Sequence, residues 1–183
     1  MTRRRATRGA AIAILAAVAV LGWGLPNVAG PALIEIRLVA AGMVVPAAPV
    51  RTVVIGGGGS VTATSLRLAV RVTGTYFLPV TVGGGGEPLR VELRSHAPDG
   101  SSVLVWTVTG GAETLGRGDD SPDGPSGSRA YLVDPGTIEL QIGPPEGVAL
   151  LDGSGLPLEP GRYDLRAVAF GVASGVIPLS IAD

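Results

Sequence analysis

The sequence predicts an all-β protein: a single antiparallel Ig-like β-sandwich of eight to ten strands, behind an N-terminal signal or anchor helix. Three observations predict it. From Leu33 onward apolar and polar residues alternate with period two, and no stretch keeps a helical stripe. Gly, Pro and Asp clusters interrupt the alternation at the spacing that short strands require. Gly (29) and Pro (15) make up about a quarter of the 183 residues. Aliphatic side chains still hold the hydrophobic fraction at 46%, with only 4% aromatic, which is enough for one core.

Residues 1–30 read as a signal peptide or an uncleaved membrane anchor, and residues 31–183 as the sandwich domain. Arg3, Arg4, Arg5 and Arg8 precede an unbroken apolar run, Ala10 to Leu21, that Gly22, Gly24 and Pro26 end. The run is shorter than the ~20 apolar residues that span a bilayer. Cleavage has three candidate positions, at Val28-Ala29-Gly30, Gly30-Pro31-Ala32 and Val39-Ala40-Ala41. Whether cleaved or retained, the segment directs the rest of the chain out of the cytoplasm, secreted or held to the membrane by this segment alone. Beyond the four arginines, ten arginines face fifteen acids, a net charge of about −5. Such a domain repels nucleic acid and anionic surfaces.

The strands follow in order. Ile34, Ile36 and Leu38 alternate with Glu35 and Arg37, and Leu66, Leu68, Val70 and Val72 with Arg67, Ala69 and Arg71. Leu89, Val91 and Leu93 alternate with Arg90, Glu92 and Arg94, and Ala97-Pro98-Asp99-Gly100 then turns the chain into Val103–Thr109 as a hairpin. Asp134-Pro135-Gly136 separates Ala130–Val133 from Thr137–Ile142. After Pro160-Gly161, the side chains of Tyr163, Leu165, Ala167 and Ala169 share one face. A last strand spans Val176–Ile181, where Pro178 predicts an edge or a bulge. Gly56–Gly59 and Gly83–Gly86 read as inter-strand loops, because a phosphate loop would need Gly-Lys-Ser/Thr or a following helix.

Chemistry is sparse. No Cys excludes disulfides, thiol nucleophiles and Cys-bound metals, and a single His excludes two-His zinc sites. His96 is expected at an exposed strand end; catalysis there would need a Ser or carboxylate partner delivered by the fold. Asp119, Asp120 and Asp123 are weak metal candidates, because the EF-hand register and its closing Glu are missing. Residues 113–129 read as one long polar loop, and Arg117, Asp119, Asp120 and Asp123 make it the candidate contact surface. With Val103 and Val105 on one face, Leu104, Trp106 and Val108 would share the other, Trp106 as a core residue. Tyr163 fits a tyrosine-corner role. No cofactor is expected.

Several pieces, in order, resemble the intracellular proteinase inhibitor (BsuPI-type) domain. Leu68-Ala69-Val70-Arg71-Val72-Thr73-Gly74-Thr75 with Leu78-Pro79-Val80-Thr81-Val82 is similar to its opening. Asp99-Gly100 with Val105-Trp106 is similar to its central hairpin, and Leu132-Val133-Asp134-Pro135-Gly136 to its later turn. Leu158-Glu159-Pro160-Gly161-Arg162-Tyr163-Asp164-Leu165-Arg166-Ala167 is similar to its closing strand. The resemblance covers about residues 65–181. It implies an Ig-like sandwich that binds proteins, with inhibition of serine proteases as the named activity. The chain departs from the family in its export signal, the added region 31–60, the 113–129 insertion, and Val108 in place of a second Trp.

The expectation is therefore a non-enzymatic, exported module that binds a protein partner, with a serine protease as the specific case. The rival is a cell-surface or filament subunit that self-assembles through strand edges.

Overall fold

The computed structural model describes residues 13–21, 30–46, 48–84, 89–97, 99–111, 114–117 and 129–182. Residues 13–21 are helical. Among the described residues no helix is long and apolar enough to cross a membrane. From Gly30 onward the chain is an all-β, antiparallel sandwich whose sheets do not close into a barrel.

The first sheet places β4 (Ser65–Gly74) between β1 (Ile34–Met43) and β10 (Gly136–Ile142), and β11 (Val148–Ala149) pairs with the start of β4. The second sheet runs β3 (Ser60–Ala63), β2 (Arg51–Ile55), β14 (Ile177–Ala182), β12 (Gly161–Ala169), β6 (Leu89–His96) and β7 (Ser102–Thr109). Its seventh member, β13 (Val172–Ala173), folds back on β12. A small third sheet holds β5 (Val80–Gly84), β9 (Arg129–Val133) and β8 (Gly116–Arg117). The fourteen described strands exceed the predicted eight to ten: β8, β11 and β13 have only two residues each, and the short β3 was not expected either. Two-residue strands carry too little alternation to be read from a sequence.

The period-two pattern becomes the burial pattern. Ile34, Ile36 and Leu38 turn inward from β1, Leu66, Leu68, Val70 and Val72 from β4, and Leu89, Val91 and Leu93 from β6. Tyr163, Leu165, Ala167 and Ala169 do so from β12. Each buried Leu or Val side chain contributes about 1.5–3 kcal/mol of transfer free energy, which drives the two main sheets together. The expected hairpin joins β6 to β7: Asp99 Oδ1 accepts from the Ser101 amide at 2.8 Å, and Gly100 takes φ +81°.

Several expectations need correction. Val176–Ile181 is no edge: β14 begins at Ile177 and lies between β2 and β12. Pro178 is tolerated there because β2 ends at Ile55; only the Gly56 amide reaches the Pro178 carbonyl, at 2.8 Å. Gly56–Gly59 is the predicted loop between β2 and β3, but Gly83 and Gly84 extend β5 and pair with Ala130 and Arg129. A ladder needs only backbone groups, so the missing side chains do not prevent it. Asp134-Pro135 is a crossover, since β9 pairs with β5 and β10 with β4.

Candidate functional site

The polar face of the second sheet gathers most of the chain's candidate chemistry. Alternation along β6 and β12 points Arg90, Glu92, Arg94 and His96, with Arg162, Asp164 and Arg166, away from the core. Antiparallel register sets Asp164 opposite Arg94 and Arg166 opposite Glu92. Glu92 is the fulcrum: Arg90 Nε donates to its Oε1 at 2.8 Å and Arg94 Nε to its Oε2 at 3.2 Å. Burial pushes its carboxyl up, but the two guanidinium hydrogen bonds and charges outweigh this and hold it below the ordinary value.

His96 ends β6 and is exposed, as expected, yet it is not alone: His96 Nε2 and Asp164 Oδ2 form a 2.7 Å hydrogen bond. The two border an open cleft of about 490 Å³, which Arg162, Pro178 and Ser180 also line. His, Asp and Ser are thus near one another without forming a catalytic relay. Ser180 sits opposite Arg162 on β14, a full strand beyond β12, and no hydroxyl among the described residues bonds to the imidazole. Arg162 and Arg166 form no ion pair among the described residues. Four arginines against two carboxylates therefore make this face positive on a domain of net negative charge.

Beside it lies the start of β7. Leu104 is directly opposite Arg94 and Val103 opposite Ser95, and both are exposed (48% and 57%). The predicted sharing of one face by Leu104, Trp106 and Val108 fails. Trp106 is opposite Leu93 while Leu104 is opposite Arg94, so Val105 is an extra residue, a bulge that reverses the alternation. Leu104 consequently points outward, whereas Val105, Trp106 and Val108 pack against the core, partly buried. The Trp106 indole N–H is buried and finds no acceptor among the described residues. β7 ends the sheet with no second partner strand among the described residues, and further along Gly153 comes close to the Val105 carbonyl.

Tyr163 takes the expected corner role: its hydroxyl donates to the Glu159 carbonyl at 2.7 Å, four residues upstream. Burial, and then the Glu159 charge, raise the phenol above its ordinary value. Of the 113–129 loop, Gly116–Arg117 is not loop but the short strand β8, which pairs with Leu132 and Tyr131. Asp119, Asp120 and Asp123 lie outside the described residues. Among the described residues no cluster of three or more His, Asp or Glu is arranged to hold a metal.

Asp164 is the participant that sequence reading missed. It reads as one solvent-side residue in an alternating strand, and only the pairing of β12 with β6 brings it to His96. Comparison with protein-family models, curated proteins and solved structures gives no match for this chain.

Proposed function

We propose that this chain is an exported, non-enzymatic β-sandwich module, secreted or held at the membrane by its N-terminal segment, that binds a protein partner. The observation that carries it is the uncharged start of β7, where Leu104 is exposed opposite Arg94 on the arginine-rich face of β6 and β12, with Val103 exposed next to it in the chain. An apolar anchor rimmed by arginines is the usual anatomy of a protein-binding patch. An open strand edge also offers unpaired backbone groups to an extended segment. In its specific form, which rests on the resemblance, the partner is a serine protease and the extended segment lies along its surface.

The test is to titrate subtilisin-like and trypsin-like proteases with the purified protein and with Leu104→Glu. Stoichiometric inhibition that leaves the module intact, and that Leu104→Glu weakens at least tenfold, establishes the inhibitory form. Peptide or ester hydrolysis by the module itself, abolished in His96→Ala, overturns the non-enzymatic reading.

A second reading draws on the sheet order. β3 and β7 terminate the same sheet at opposite ends, and Ser60, Val61 and Thr62 of β3 are exposed. Pairing β7 of one copy with β3 of the next would be head-to-tail, an interface that builds a filament wherever its rotation does not close a ring. Light scattering decides between the two: concentration-dependent growth, blocked by charges at Val61 or Leu104, favours the assembling subunit, and a persistent monomer excludes it.

A further inference from the structure

One end of the sandwich carries apolar surface that the protein leaves uncovered. The helix at 13–21 consists wholly of Ala, Ile, Leu and Val, and every one of these residues is exposed, Ile14, Leu15 and Val18 by 60% or more. A helix that is apolar on all sides has no stable place in water. Leu21, its last described residue, meets the loop between β4 and β5, where the Tyr76 hydroxyl donates to the Leu21 carbonyl. That bond ties the apolar segment to the loop through a backbone carbonyl. Phe77 packs against Tyr76, ring centroids 4.4 Å apart and planes tilted by 46°, and is 67% exposed. The loop, Thr75-Tyr76-Phe77-Leu78-Pro79, carries no charge.

The chain also enters the sandwich here. The Thr75 amide and hydroxyl both donate to the Leu33 carbonyl, at 2.9 and 2.8 Å, at the end of the 3-10 turn Gly30–Leu33. The helix, the entry point and the aromatic loop therefore share the Gly74 end of β4.

We infer, on the reading above that residues 10–21 stay attached as an anchor, that the Tyr76–Phe77–Leu78 loop seats in the bilayer interface and fixes the orientation of the sandwich on the membrane. The occupant is lipid because of what flanks the apolar run. Arg3, Arg4, Arg5 and Arg8 precede it, as expected of a segment whose basic end faces anionic headgroups. Aromatic side chains at its other end match the interfacial belt, where aromatic rings sit at the level of the headgroups. The apolar run from Ala10 to Leu21 is shorter than the ~20 residues that span a bilayer, so added apolar surface at its carboxyl end strengthens its hold.

The chain has no native cysteine, which permits a direct test on the full protein. Phe77→Cys and Leu156→Cys are labelled separately with a polarity-sensitive fluorophore and bound to phosphatidylethanolamine–phosphatidylglycerol vesicles containing a spin-labelled lipid quencher. Both native side chains are exposed, 67% and 63%. Leu156 lies at the far end: the Leu158 amide bonds to Leu150, and the Leu150 amide to Thr64, just before β4 begins. The ten residues of β4 put about 33 Å between the two positions. The expected result is a blue shift and several-fold stronger quenching at position 77 than at 156. Equal quenching on vesicle-bound protein overturns the inference and leaves the anchor intact. Failure of the unlabelled chain to float with the vesicles overturns the anchor reading, and the inference with it.

Discussion

His96 Nε2 stands 2.7 Å from Asp164 Oδ2, across the junction of β6 and β12, with 41% and 30% of the two side chains exposed. Solvent at this exposure screens the attraction, so the pair adds no more than about 1 kcal/mol. His96→Ala should lower the urea midpoint only slightly and leave partner binding by the Leu104 patch within a few-fold of wild type. A loss of several kcal/mol would mean that the imidazole supports structure that the register does not explain.

Glu92 should carry the acid sensitivity of this face. Its carboxyl is held below the ordinary 4.5 once folded, so its stabilising contribution is complete above that pH and disappears as pH falls through the folded value. Glu92→Gln should cost about 1–2 kcal/mol near pH 7, as two guanidinium hydrogen bonds lose their charged acceptor. Urea melts from pH 7 to pH 3 should show wild type and variant converging at the acid end. Parallel curves would remove Glu92 from the account.

Phe170 holds φ +54° in the two-residue turn from β12 to β13, yet its ring is buried against Tyr131, centroids 5.5 Å apart. The left-handed backbone costs a non-glycine residue about 1–2 kcal/mol, so ring packing must more than offset it. Phe170→Ala should lose about 3–5 kcal/mol. Phe170→Gly should be about 1 kcal/mol more stable than Phe170→Ala despite its smaller side chain. If alanine proves the milder change, the positive φ is not a source of strain.

Two aromatic side chains should respond oppositely to losing a polar atom. Tyr163→Phe removes the bond to Glu159 and should cost about 1 kcal/mol. Trp106→Phe removes an indole N–H that is buried without an acceptor, so relief of that penalty should hold the net cost under about 1 kcal/mol. Trp106→Ala, which also removes the ring from the core margin, should cost more than about 2 kcal/mol. Thermal melts of the three variants give the order directly.

The longer strands, and the inner faces of β1, β4, β6 and β12, were legible because a half-buried strand must alternate, and these do. The tyrosine corner was legible for a similar reason: Pro160-Gly161 fixes where the strand that carries Tyr163 begins. Trp106 was read correctly as packing inward, but its neighbour Leu104 was assigned to the wrong face. One bulge residue, Val105, has no signature in the sequence and shifts the phase of everything on its far side.

Local information thus determined the all-β class, the main hairpin, the buried sets of β1, β4, β6 and β12, and the absence of thiol or two-His metal chemistry. Register and sheet order settled the rest: that β14 is interior despite Pro178, that Asp164 meets His96, and that Leu104 lies beside Arg94. The division has a physical origin. Alternation and turn chemistry are written in neighbouring residues, whereas strand partners are chosen by burial summed over the whole core. That choice joins residues as far apart in the chain as His96 and Asp164.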